Sequence, residues 1–324
     1  MMKNICIVGC GTMGKLHSKN LRGSSNLSFY SLSKSSAEKL YKKFKGKQIF
    51  TQFEEVLQSP DIDAVIITSP PEFHKEQLIL SLQAGKSVLV EKPMCISEVE
   101  LVEIGKAVGE RNDALLMIAE NYYYKPSLKK IKHIIRDQLI GEIQSVSVKK
   151  LLRQAETGWK TQYGALLEGG IHFIALISDL FDDWPENVEA NFPFVKKNGV
   201  ERHSVINLTY KSKATATLTY SWATQSLTKG TFQNSFIVGD KGTIIFESNG
   251  IYIFLKCDKK KRFYTGLSNL MGYRTMIEDF LKCLGDKKRS PYSDFHKAER
   301  DLSIVFRAYK NLRTFGQNPR NMKQ

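Results

Sequence analysis

Cysteine, tryptophan and proline are all sparse in this 324-residue sequence, at five, three and nine residues. The cysteines (Cys6, Cys10, Cys95, Cys257 and Cys283) are odd in number and form no C-x-x-C pair. That excludes a disulfide scaffold and the usual zinc spacings, and it predicts reduced thiols in a cytoplasmic protein. No apolar run approaches the length that crosses a bilayer, so no membrane partner is expected. The short apolar segment near the start runs into a glycine turn, not a small-residue cleavage site, and reads as a strand and not a signal peptide. No group of His, Cys, Asp and Glu has metal-ligand spacing, and no metal is expected.

Acidic residues are also in deficit, 33 against 48 Lys and Arg, for a net charge of +15. The basic residues are scattered along the whole chain, with no zinc finger, RNA-binding signature or basic heptad, so nucleic acid is not the expected partner. The densest runs, Lys259–Arg262 and Lys287–Arg289, read as exposed turns. A field of this sign suits an anionic small molecule.

What the sequence does contain begins at Lys3. The β-branched run Ile5–Val8 leads into Gly9, Gly11 and Gly14, a G-x-G-x-x-G, and then into a helix-compatible stretch. Gly9 permits a tight turn, Gly11 leaves room for a pyrophosphate to approach backbone, and Gly14 allows a helix to pack closely on the strand. The first amides of that helix, around Thr12 and Met13, would face the phosphates. Strand and helix patterns alternate to about Ala119: strands at Leu27–Leu32, Asp63–Thr68, Ser87–Val90 and Ala114–Ala119, with helices between them. The rhythm is that of parallel βαβ units, a doubly wound Rossmann sheet.

From Asn121 the pattern changes to two helices, Ser127–Ile140 and Ala165–Phe181, and a series of strand-like runs. Short turns such as Gly239–Gly242 join the later runs, which favours an antiparallel sheet. Two further helices, Tyr273–Leu284 and His296–Phe315, close the chain. The expected fold is therefore α/β. Residues 1–121 form a dinucleotide-binding domain. Residues 122–324 form an α+β domain with an open, mainly antiparallel sheet.

Several motifs occur in the order found in one family. They are the glycine turn, Ser69-Pro70-Pro71-x-x-His74, Glu91-Lys92-Pro93, Asn121–Pro126 (N-Y-Y-Y-K-P), Glu168-Gly169-Gly170-Ile171-His172 and the Gly239–Thr243 turn. In these the chain resembles the glucose–fructose oxidoreductase, inositol dehydrogenase and rhizopine-catabolism (Gfo/Idh/MocA) family over nearly its whole length. The resemblance implies hydride transfer between NAD(P) and a sugar-like or cyclic polyol substrate, possibly phosphorylated or nucleotide-linked, at a site between the domains. It also implies a homodimer or homotetramer formed through the C-terminal sheet. Two other activities occur on related chains: NAD-dependent glycoside cleavage and non-catalytic nucleotide-binding regulation.

Oxidation of an alcohol needs a proton acceptor and a positive charge near the developing alkoxide. His172 is the candidate acid/base, because imidazole titrates near neutrality. Lys92 is the candidate electrostatic group, and Glu168, four residues before His172, shares its helical face. Gly9, Gly11, Thr12, Met13, Gly14, Ser69, Pro70, His74, Glu91 and Lys92 are expected to surround the cofactor. Tyr124, Arg153, Trp159 and Lys160 are expected to line the substrate pocket. His17 reads as a helix-packing residue.

About 20 residues past the glycine turn, NAD enzymes carry an acid for the ribose hydroxyls. Here stand Ser31, Leu32, Ser33 and Lys34, with no carboxylate to repel a 2′-phosphate, so NADP(H) is favoured over NAD(H). The chain departs from the family pattern at Glu168 (commonly Asp), Ala175 (commonly Asp), Tyr123 (commonly Arg) and Leu32 (often Arg in NADP-preferring relatives).

Overall fold

The computed structural model describes residues 2–110, 115–155, 161–196, 199–258, 260–265 and 268–316. The chain divides into two compact units, Met1–Glu120 with Tyr273–Glu299, and Asn121–Gly272 with Arg300–Gln324.

The first unit is built on a six-stranded parallel sheet of β1 (Lys3–Val8), β2 (Ser25–Tyr30), β3 (Ile49–Phe50), β4 (Ala64–Ile67), β5 (Ser87–Val90) and β6 (Leu116–Ile118). The order is β3-β2-β1-β4-β5-β6, the doubly wound arrangement whose direction of growth reverses between β1 and β4. Strands covered on both faces read as continuous apolar runs, and Ile5, Cys6, Ile7 and Val8 are indeed fully buried, as are Ala64–Ile67. The helices are α1 (Thr12–Leu21), α2 (Lys34–Phe44), α3 (Phe53–Gln58), α4 (His74–Gln83) and α5 (Glu98–Glu110). Ser97 caps α5 through the Glu100 amide at 3.2 Å, while the Glu100 carboxylate turns back to the Ile96 amide at 2.9 Å.

The expected single crossing at residue 121 differs from the observed grouping. Helix α8 (Tyr273–Gly285) packs on α1, with Tyr273 edge-on to His17, and the Ile118 amide donates to Ser293 O at 3.0 Å. Periodicity identifies a helix but not the surface that buries it, so the return of this segment to the first unit had no signal in sequence.

The second unit carries α6 (Pro126–Arg136), α7 (Ile171–Phe181), α9 (Phe295–Gly316, from Arg300 onward) and an eight-stranded sheet. Its strands are β7 (Ile143–Leu151), β8 (Asn187–Val195), β9 (Glu201–Thr209), β10 (Thr215–Ser221), β11 (Asn234–Gly239), β12 (Gly242–Glu247), β13 (Tyr252–Cys257) and β14 (Lys260–Thr265). In the order β14-β13-β12-β11-β7-β10-β9-β8, only β7 and β10 pair in parallel. The rest is antiparallel, as expected. Alternation along β7 and β10 buries Val146, Val148, Ala216 and Leu218 on one face.

Two strand expectations need correction. Lys260–Arg262, read as part of an exposed turn, lies in β14 and pairs with Leu255–Cys257; Lys259 falls outside the described residues. Charge here belongs to an edge strand, where it discourages pairing with other chains. Strand β2 is Ser25–Tyr30, not Leu27–Leu32, which leaves Ser31 and Leu32 just beyond the sheet.

Candidate active site

In the first unit the site grows from the parallel edge where β1, β4 and β5 end. Gly9 turns with φ +93°, and a Cβ there would meet Ser69 N at 2.6 Å and Thr68 C at 2.7 Å. A Cβ at Gly14 would collide with the Gly9 carbonyl, so only glycine lets α1 lie this close to the strand. The hydroxyl of Thr68 ties the end of β4 to the turn, donating to Gly9 O at 2.5 Å. Nothing lies within 4 Å of the Cβ position at Gly11, which begins α1 with no side-chain cap and no acid in its first turn. Open space, uncapped amides at Thr12 and Met13 and the positive end of the helix dipole fit a pyrophosphate.

Glu91 and Lys92 follow β5 at the same edge. Glu91 is buried: its Oε1 meets His17 Nε2 at 2.7 Å, and its Oε2 accepts the Lys92 amide at 3.2 Å. Burial alone would raise this carboxyl, but the His17 hydrogen bond and the nearby Lys92 charge outweigh it and hold the group below its ordinary range. His17, read as a packing residue, is thus also the polar partner that fixes Glu91. The Lys92–Pro93 bond is cis.

His74 has Nδ1 at 2.8 Å from Pro93 O and Nε2 at 2.8 Å from Ser69 O, so it ties the loop after β4 to the loop after β5. Burial lowers its basicity despite those carbonyls, and the neutral ring donates to one of the two. Ser69 Oγ donates to Gln77 at 2.6 Å, and Pro70 precedes the helical turn that opens α4.

Past β2, Ser31 is half-buried and Ser33 exposed, with Lys34 at the start of α2. Ser36 Oγ donates to Ser33 Oγ at 3.0 Å, and no side chain caps the helix. No carboxylate stands in this segment.

In the second unit, Glu168 lies in a π-helical turn, Leu166–Gly170, that runs directly into α7 and His172. Widened turns of this kind recur at functional sites. The two glycines of the E-G-G stretch have a steric reason, since a Cβ on Gly169 would strike the Tyr220 hydroxyl. His172 stacks on Tyr122 with centroids 4.6 Å apart and planes 12° from parallel. The ammonium of Lys125 sits 3.8 Å from the centre of the same Tyr122 ring and donates to Asn249 O at 2.6 Å. Tyr122 and Lys125 belong to the N-Y-Y-Y-K-P motif, but their contacts had no signal in sequence, because nothing in one dimension shows that a tyrosine faces a ring 50 residues away.

Tyr124 is buried, and Arg153 is exposed beside a short bridge to Ala223. Trp159 and Lys160 lie outside the described residues. Tyr123 donates to Asp301, which gives that departure from the family pattern a role in the core. Ala175 is fully buried within α7. Among the described residues no group of His, Cys, Asp and Glu could hold a metal ion.

This first unit is a dinucleotide-binding Rossmann module of the oxidoreductase type, and residues 3–119 match the NAD-binding Rossmann domain of that oxidoreductase family. Residues 128–245 match the Gfo/Idh/MocA C-terminal domain, and the chain belongs to the Gfo/Idh/MocA family. It is 26% identical over 208 residues to trans-1,2-dihydrobenzene-1,2-diol dehydrogenase of Xenopus tropicalis, covering 62% of this chain and 60% of that one. It is 29% identical over 178 residues to the NADP(+) scyllo-inositol 2-dehydrogenase IolW of Bacillus subtilis, covering 52% and 49%. The chain thus spans about half to three-fifths of these relatives. The fold is similar to that of KijD10, a 3-ketoreductase from Actinomadura kijaniata solved with TDP-benzene and NADP. The TM-score is 0.80 at 20% identity, over 97% of this chain and 98% of that one.

Proposed function

We propose that the protein is an NADP(H)-preferring oxidoreductase. It moves a hydride between the nicotinamide and a carbinol carbon of a sugar-like or cyclic polyol substrate, including phosphorylated or nucleotide-linked sugars. The observation that carries this reading is the open phosphate cradle at Gly9–Gly14 with Lys92 leaving the same edge of the sheet, one strand beyond β4. Gly9, Gly11, Gly14 and the amides of Thr12 and Met13 would hold the pyrophosphate. Ser69 and Pro70 would border it, with His74 and Glu91 fixing the loops from behind.

The bound nicotinamide supplies the hydride acceptor or donor. The chain supplies the rest. His172 takes the hydroxyl proton as the carbinol is oxidised, and returns it in reduction. Lys92 stabilises the negative charge that develops on the oxygen. Glu168 holds a neighbouring substrate hydroxyl, and Tyr124, Arg153, Trp159 and Lys160 are the residues we assign to substrate binding, with the charges of Arg153 and Lys160 suited to an anionic group.

The hydroxyls of Ser31 and Ser33 with Lys34 at an uncapped helix start favour a 2′-phosphate, and an NADP(+) enzyme among the relatives supports the choice. The outer face of the second unit's sheet, with Phe236 and Phe194 exposed, is the surface we assign to homodimer or homotetramer formation. Five free cysteines, four of them buried, favour a reducing, cytoplasmic setting.

The test is a screen of polyols, sugars, sugar phosphates and nucleotide sugars with NADP(H) and NAD(H), followed at the nicotinamide absorbance band. Turnover with one of these classes, faster with NADP(H), is expected. A protein that binds dinucleotide but turns over none of them is not this enzyme.

A further inference from the structure

Strand β9 opens with two consecutive charged residues, Glu201 and Arg202, each 1% exposed. The register between β8 and β9 slips here, pairing Phe194 with His203 but Val195 with Glu201, so that Arg202 is the extra residue. Bulges of this kind re-aim side chains. Both charged groups reach the segment that enters the π-helical turn. The Arg202 guanidinium donates to the carbonyls of Tyr163 at 2.6 Å and Thr161 at 3.3 Å. Glu201 Oε1 accepts the Leu166 amide at 2.8 Å and the Tyr309 hydroxyl at 2.7 Å, and the Leu167 amide donates to that same hydroxyl at 3.2 Å. The first turn of any helix has amides without intrahelical partners. Here the caps come from a distant strand and from α9 instead of from a local Ser or Asp. The fit is close: a Cβ on Gly164 would overlap both Glu201 Oε1 and the Tyr309 hydroxyl.

We propose that Glu201 and Tyr309 are positioning residues for the reaction: together they clamp the amino end of the helix that bears Glu168 and His172, and so fix where those two side chains are presented. The inference rests on the roles assigned above to Glu168 and His172. The clamp needs an acceptor oxygen at Oε1 and not a negative charge. Burial pushes the Glu201 carboxyl up to about 7, against the pull of Tyr309, the Leu166 and Ala165 amides and the Arg202 charge. Tyr220 on β10 is a further titratable group that interacts electrostatically with Glu201. The second oxygen, Oε2, is buried with no hydrogen-bond partner among the described residues. A proton placed there leaves the three groups at Oε1 and at the Tyr309 hydroxyl undisturbed.

The stacking of His172 on Tyr122 provides a readout that needs no substrate, because a ring held 4.6 Å over another carries a ring-current shift. The full chain, labelled with ¹³C-histidine, gives a His172 ring peak assigned by its loss in His172→Ala. In Glu201→Ala the peak should lose its upfield displacement, and in Tyr309→Phe it should lose part of it. Glu201→Gln keeps the acceptor oxygen and should leave the peak where it is. The peaks of His17 and His74, in the other unit, should not move in any of these. With the substrate found by the screen, Glu201→Ala should lower kcat about tenfold or more at unchanged dinucleotide KM. A His172 peak unmoved in folded Glu201→Ala overturns the clamp, as does a Glu201→Gln peak displaced as far as that of Glu201→Ala. If Glu201→Ala does not fold, an unmoved peak in Tyr309→Phe overturns it. Full turnover by His172→Ala would instead overturn the reading of the site.

Discussion

Glu91 in the first unit and Glu201 in the second are both buried, at 5% and 1% exposure; Glu91 precedes Lys92, and Glu201 holds the start of the segment that bears Glu168 and His172. Their environments differ in one respect. Glu91 is hydrogen-bonded to His17 at 2.7 Å with the Lys92 charge nearby, so its ionised form is favoured. Glu201 faces two amides and a phenol with little countercharge, so burial dominates and its neutral form is favoured up to about pH 7. Depth of burial does not decide the charge state of a carboxyl. The partners do. The difference shows two ways of holding a functional side chain: an ionised carboxylate held by His17 accepts the backbone amide of Lys92, and hydrogen bonding to helix amides fixes the start of the segment bearing Glu168 and His172.

The largest effect should come from the side chains being held. Lys92→Ala is expected to lower turnover by about 10³-fold, with dinucleotide affinity by fluorescence titration nearly unchanged. His172→Ala should cost about 10²-fold in kcat. Equal and small losses would remove the chemical distinction between the two units.

The holders come next, and they should separate in stability. Glu91→Gln removes the buried carboxylate that meets His17 and the Lys92 amide, and should cost about 2 kcal/mol in urea denaturation at pH 7. Glu201→Gln replaces an acid that is about half neutral at pH 7 with a neutral amide that keeps the Oε1 acceptor, and should cost well under that.

The pH dependence should then run in opposite directions. Glu91 has a lowered folded pKa, so its contribution is present above about pH 4.3 and is lost as the pH falls through the folded value. Glu201 has a raised one, so its contribution is present below about pH 4.3 and is lost as the pH rises towards 7. Subtracting the stability profile of each Gln variant from that of the wild type should give slopes of opposite sign. Two slopes of one sign would mean that the charge assignments are wrong. The smallest change expected is in cofactor choice: Ser31→Asp should shift the NADP/NAD ratio of kcat/KM towards NAD by about tenfold, and an unchanged ratio would remove Ser31 from the ribose site.

Much of this was readable in one dimension, and unevenly. The glycine turn was legible because each glycine answers a local demand: close backbone stands at Gly9 and Gly14, and open space lies at Gly11. The alternation of strands and helices to Ala119 was legible because fully buried strands leave unbroken apolar runs. The role of the Glu201-Arg202 pair at the start of β9 had no signal in sequence, because two adjacent charges look the same whether they face solvent or the core. Lys260–Arg262 was misread for the same reason, since charge on an edge strand and charge in a turn look alike. His17 was seen as packing, but its partner lies 74 residues away.

By itself the sequence determined the local features: where glycine is obligatory, which segments are buried on both sides, that no acid follows β2, and that Lys92, Glu168 and His172 sit in patterned motifs. Only the tertiary structure decided which buried acid keeps its charge, that α8 returns to the first unit, and what caps the helix carrying His172. The physical reason is range. Backbone conformation and periodic burial are set by neighbours in the chain, whereas the solvation and pairing of a buried polar group depend on atoms that only folding brings within 3 Å.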